Sequence, residues 1–205
     1  MSQKVTREQQ KQQTRQNIIN AAFASLDATK SLSAVSLREV ARVAGIAPTS
    51  FYRHFKDIDE LGLTLVDEAG LTLRQLMRSA RRRISSERGA ISISVDTFVE
   101  FVLAHNNVFR LLLREHTGTS ADFRAAVLRE IQHFTDELTD YIVLQEKKPE
   151  AVAQLQADAM VKIVFSAGGE LLDASDVQIE GLKERTKRQL YMVHFGATAL
   201  MSKKT

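Results

Sequence analysis

Cysteine is absent from the 205-residue chain, which excludes disulfide frameworks, thiolate metal sites and a cysteine nucleophile. Proline occurs only at Pro48 and Pro149, and glycine nine times. A β-sandwich or barrel needs far more turn signals than that, so helices are favoured. No uncharged apolar run is long enough for a transmembrane helix. The first 17 residues are polar with scattered Lys and Arg, which does not read as a secretory signal. A cytoplasmic chain without membrane insertion is the expectation. His105, His116 and His133 lack metal-ligand spacing, so no metal site is expected. Nucleophile-elbow, Walker and dinucleotide-binding patterns are missing too. Neither catalysis nor a cofactor finds support in the residues.

What is present is ordinary in amount and uneven in place. At 44% hydrophobic and 26% charged, the chain has the composition of a folded domain rather than a disordered one. Residues 1–56 carry nine Lys/Arg against three Asp/Glu, while the remainder carries 19 against 22. A basic first quarter on a mildly acidic body points to an anionic partner docking at one end. Nucleic acid and an anionic membrane surface both fit that charge.

Apolar residues recur at helical spacing along nearly the whole chain. Ile18, Ile19, Ala22, Phe23 and Leu26 stripe a first helix, with Lys4, Arg7, Lys11 and Arg15 ahead of it on a polar arm prone to fray. Ser36-Leu37-Arg38-Glu39 matches a capping box, and the short helix it opens stops at Gly45. Pro48 then suits a first helical position, and Phe51 and Phe55 stand four apart on the new helix. A helix-turn-helix therefore fits within Ser36–Phe55. A fourth helix is predicted from Asp57 to the Arg81-Arg82-Arg83 run, whose simplest reading is a solvated helix end. After a predicted loop at Ser85–Ala90 come stripes at Val95–Leu103, Phe109–Leu113, Phe123–Tyr141, Ala157–Gly168 and Leu182–Leu200. The expected fold is all-α with about nine helices. Its predicted domains are residues 1–58, helix-turn-helix with a basic arm, and 59–205, a helical effector-binding and dimerisation domain.

The second short helix offers Thr49 and Ser50 beside unpaired helix amides, suited to a phosphate or base edge. Tyr52, Arg53 and His54 face away from Phe51 and Phe55. Arg53 is the candidate for bidentate guanine reading, with Arg38 adding a base or phosphate contact and Tyr52 and His54 positioning phosphates. Ser36, Pro48 and the basic Lys11 complete the candidate DNA-binding set. Each of these residues alone is more simply a solvated side chain; their joint context is what points to DNA.

The stretch VSLREVARVAGIAPTSFYRHFKDIDEL, Val35–Leu61, resembles the DNA-binding signature of TetR-type transcriptional regulators. In that family an Ala-Gly turn precedes the recognition helix, and an aromatic-x-His-aromatic run closes it, as Tyr52-Arg53-His54-Phe55 does here. Members often carry Lys where Ile58 stands, so the resemblance implies one phosphate contact fewer there. Further blocks, LRQLM, FRLLLREHTGTSADFRAAV, REIQHF and VKIVFSAGGE, resemble TetR-type repressors of unsaturated fatty acid biosynthesis. The resemblance implies a homodimer paired through the last two helices, a palindromic double-stranded operator, and a long-chain acyl thioester effector on coenzyme A or acyl carrier protein.

The second domain is less legible. Its stripes serve a solid core as well as an acyl tunnel. Phe98, Phe101, Phe109, Leu113, Phe134 and Phe165 are the candidate lining, with Arg110 and Arg114, four apart, able to meet an anion or simply to be solvated. Glycines in Ser166-Ala167-Gly168-Gly169 and at Gly196 suggest close helix approach in a dimer. A multidrug-responsive regulator with the same DNA head, and a peripheral membrane protein using the basic arm, are the competing readings.

Overall fold

The computed structural model describes residues 6–26, 34–82 and 87–202, and these contain nine helices and no strand. They are α1 (Arg7–Ala24), α2 (Leu37–Val43), α3 (Pro48–Phe51), α4 (Ile58–Arg82), α5 (Glu87–Ala104), α6 (Asn106–His116), α7 (Ala121–Glu146), α8 (Glu150–Leu171) and α9 (Asp176–Ser202). No helix among the described residues is long and apolar enough to cross a membrane.

Two sequence-based boundaries change. Thr6 and Gln9 close a reciprocal capping box, so Arg7, Lys11 and Arg15 stand on α1 rather than on a frayed arm. Lys4 lies outside the described residues. Residues 87–90, expected in a loop, already form the first turn of α5, while 83–86 lie outside the description.

Helices α1, α2 and α3 pack around Ile18, Ile19, Val40, Phe51 and Phe55, all essentially sealed from water. The start of α4 closes this small core with Leu61 and Leu65. Asp57 caps α4 by accepting from the Glu60 amide at 2.8 Å, and the Glu60 carboxylate accepts from the Lys56 amide at 2.6 Å. Farther along, α4 lies against α7 and α5. One helix thus belongs to both halves of the molecule. Around it, α5 to α9 form the body, with α8 packed between α7 and α9.

Gly168 acts inside the protomer rather than at a dimer seam. A Cβ there would stand 2.4 Å from Phe109 and 2.8 Å from Phe98, so the missing side chain lets α8 close onto these rings. Gly196, by contrast, faces open space. Large apolar side chains nevertheless project from the last two helices: Leu155, Val177, Met192, Phe195 and Leu200 are all more than half exposed.

Candidate nucleic-acid interface and effector cavity

The turn between α2 and α3 follows from local chemistry. The Ser36 hydroxyl accepts from the Glu39 amide at 3.2 Å and starts α2. At its far end the Ile46 amide donates to Ala41 O at 3.0 Å and the Gly45 amide to Arg42 O at 3.2 Å, the two bonds of a Schellman motif. Gly45 carries φ +69°, a conformation that costs glycine little and other residues more. Pro48 then occupies the first helical turn, where its missing N–H leaves no helix bond unmade.

The regular α-helix here is shorter than the spacing suggests. After Phe51 the chain tightens, with the Arg53 amide donating to Ser50 O at 3.2 Å and the His54 amide to Phe51 O at 2.9 Å. Tyr52, Arg53 and His54 therefore sit on this closing turn. Pro48, Thr49 and Arg53 are exposed, as are Ser36 and Arg38 on α2, while Ser50 and His54 are half-buried. Tyr52 is 63% exposed and Arg53 is exposed, whereas Phe51 and Phe55 are sealed; His54, expected on the outward side with them, turns partly inward.

Helix α1 supplies the cations beside this ridge. Partial burial lowers the His54 pKa from its ordinary 6.5, and the positive charges of Lys11, Arg15 and Arg53 lower it further. The His54 Nδ1 is buried without a hydrogen-bond partner among the described residues. Arg15, absent from the sequence-based candidates, lies with its guanidinium 4.5 Å from the centre of the Phe55 ring. Only the folded arrangement, which brings α1 to Phe55, reveals that role. Ile58, read above as the site of a missing phosphate contact, packs partly buried against the core.

The body holds a partly open, overwhelmingly apolar cavity lined from α4 to α9, with ≈ 130 Å³ open to the centres of water molecules. Its α7 wall runs from Val127 to Glu146, about 28 Å at 1.5 Å per residue. Phe98, Phe109, Phe134 and Phe165 come together on its surface from four different helices. Phe101, Arg110, Leu113 and Arg114 are not among the lining residues. Phe101 is buried beside His105, and Leu113 lies next to Gly169. Arg110 is turned to the end of α8, donating to Leu172 O at 2.7 Å and the Asp173 carboxylate at 3.0 Å. It ties α6 to α8 instead of aiming into the cavity with Arg114.

Polar residues that sequence reasoning passed over reach the cavity wall. Glu130 of α7 is paired with Arg74 of α4. Arg81, expected in a solvated helix end, is largely buried over the Tyr141 ring and 3.8 Å from Glu137. At the far end Glu146 and Gln156 line the cavity, backed by buried Lys148 and by His194. Gln156, on the apolar stripe four residues before Met160, was the one sequence signal of this cluster.

An exposed polar ridge after a Schellman turn, flanked by cations, defines a helix-turn-helix DNA-binding protein. Residues 18–63 match the family model described as bacterial regulatory proteins, tetR family. Residues 87–197, more than half of the chain, match the tetracyclin repressor-like C-terminal domain. The chain belongs to the TetR family of transcriptional regulators, a non-enzymatic family whose membership implies operator binding and dimerisation.

Solved structures share the fold. A tetR-family regulator from Streptomyces coelicolor aligns with TM-score 0.75 at 19% identity, covering 92% of this chain and 83% of that one. A transcriptional regulator from Pseudomonas aeruginosa PAO1 gives 0.71 at 15%, covering 91% and 92%. The fatty acid degradation regulator FadR from Bacillus halodurans gives 0.66 at 13%, covering 86% and 94%.

Proposed function

We propose that this regulator is a dimeric repressor of the FabR type, controlling unsaturated fatty acid biosynthesis genes in response to a long-chain acyl thioester. The long apolar cavity carries the reading: its shape suits a hydrocarbon chain, and each buried methylene contributes about 0.8 kcal/mol. The sequence blocks of the second domain point the same way, and FadR from Bacillus halodurans, a fatty acid regulator by name, has the same fold. In this proposal residues 1–58 form the DNA-binding domain and 59–205 the effector and dimerisation domain.

On the operator, Thr49, Ser50, Tyr52, Arg53 and His54 enter the major groove, with Arg53 reading a base edge. Ser36, Arg38, Pro48 and Lys11 position the backbone beside it. The exposed apolar residues of α8 and α9 are the face that a second copy covers, giving a two-fold dimer and a palindromic operator. Because α4 contributes to both the DNA-binding core and the cavity wall, an effector acts by favouring one arrangement of α4 over another. Among the candidate lining residues, Phe98, Phe109, Phe134 and Phe165 contact the chain directly.

An aromatic-cation effector is the competing reading, favoured by the cavity's rings and by Glu130 and Glu146. Both carboxylates, however, already face a cation, Arg74 and Lys148. Gel-shift titration of the repressor–operator complex with long-chain acyl-CoA and with aromatic cations separates the two. A response to acyl-CoA alone supports the proposal; a response to the cations alone refutes it.

A further inference from the structure

The far end of the cavity holds an unusual set of buried polar groups. Gln156 is only 2% exposed, and its amide orientation is fixed by chemistry. The Lys148 ammonium stands 2.7 Å from Gln156 Oε1. An ammonium only donates, so that atom is the amide oxygen and Nε2 carries the two N–H donors.

Those two donors have poor outlets. Nε2 is 4.0 Å from the sulfur of Met160, itself a lining residue, and 3.5 Å from His194 Nδ1. Sulfur is a weak acceptor. The His194 Nδ1 also lies 3.4 Å from the Glu146 carboxylate, and in either tautomer it serves only one of the two neighbours well. At least one Gln156 N–H is therefore left without a strong acceptor, in a place where a buried donor costs about 1–3 kcal/mol if unmet.

Charge decides which acceptor suits it. Lys148 is spent on Glu146 at 2.8 Å, on Gln156 and on His194 O at 3.5 Å. Glu146 and Gln156 both line this end of the cavity. A ligand carboxylate arriving here would lose its hydration and find no uncommitted cation among the groups of this cluster, because Lys148 already faces Glu146. A neutral oxygen needs no such cation.

We infer that this end of the cavity is a subsite for an uncharged oxygen of the effector, an ester or thioester carbonyl, which accepts from Gln156 Nε2, while the commitment of Lys148 to Glu146 leaves no cation for a free carboxylate. The inference rests on the acyl reading of the cavity and narrows it. An acyl chain is sensed when it is esterified and passed over when it is a free acid.

Isothermal titration of the full-length protein with methyl dodecanoate, sodium dodecanoate and dodecanoyl-CoA at neutral pH, where the acid is ionised, tests this. The wild type is expected to bind the methyl ester at least about tenfold more tightly than the acid. Gln156→Leu should weaken the ester about tenfold, and Glu146→Gln should strengthen the acid by at least as much. The second variant and the wild-type comparison decide the matter if Gln156→Leu does not fold. Equal binding of ester and acid by the wild type overturns the subsite, as does an unchanged preference in folded Gln156→Leu. Binding of dodecanoyl-CoA with no ester preference would defeat the subsite alone. An ester preference without dodecanoyl-CoA binding would uphold the subsite and count against the acyl-carrier effector, and failure of all three ligands would overturn both.

Discussion

Lys11→Ala isolates the electrostatic part of operator binding. Lys11 is exposed on α1, so its truncation leaves the buried core of Ile18, Ile19, Phe51 and Phe55 intact. Arg15 is a poorer choice, because its guanidinium also covers the Phe55 ring. If each protomer of a dimer sets one Lys11 on a phosphate, the variant loses two phosphate contacts. The slope of log affinity against log salt then becomes shallower by about 1.8, at 0.9 per contact. Raising salt from about 50 to 200 mM should cost the wild type about 12-fold more affinity than it costs the variant. Fluorescence anisotropy with a labelled operator and with a scrambled duplex measures both curves. The loss should be similar for both duplexes, since a phosphate contact carries no sequence information. An unchanged salt slope, or a loss confined to the operator, would refute the placement of Lys11 on the backbone.

Arg53→Ala should instead flatten the difference between operator and scrambled DNA, by about 1–3 kcal/mol per half-site, read from competition binding. His54 predicts two pH effects of opposite sense. Because burial and three cations hold its folded pKa below 6.5, the unfolded chain binds more protons as pH falls. Stability linked to His54 is thus full above about pH 6.5 and lost on acidification, and chemical denaturation of His54→Gln should lack that part of the decline. Operator phosphates counter the same three cations and raise the His54 pKa, so affinity should strengthen on acidification toward pH 6 in the wild type and less so in His54→Gln. Gly168→Ala forces a methyl against Phe109 and Phe98, and overpacking of this kind costs about 1–3 kcal/mol in thermal or urea unfolding.

What the sequence made legible was local. The Ser36 cap, the Gly45 turn and the Phe51–Phe55 pair depend on residues within a few positions of one another, and the helix-turn-helix follows from them. Helix count and order followed from apolar spacing alone. The cavity did not, because a stripe of Phe and Leu has the same period whether it meets another side chain or an empty channel. Phe98 and Phe101 illustrate this: both are buried, yet only the first lines the cavity. Polar residues were misread for a related reason. Arg81 looked like a helix terminus until α7 brought Glu137 and Tyr141 to it, and nothing local to Lys148 announces that groups of α8 and α9 meet its ammonium. Gly168 signalled close approach correctly but not its partner, which is α6 and α5 of the same chain.

Selection of bound duplexes from a random double-stranded library, using the purified full-length protein, tests the central claim most directly. Two copies of the Thr49–His54 ridge related by a two-fold axis should enrich an inverted repeat whose half-site centres lie about 10 base pairs, or a multiple of that, apart. Arg53→Ala should blur one position in each half. Enrichment of a motif without dyad symmetry, or no enrichment at low salt, would contradict the account.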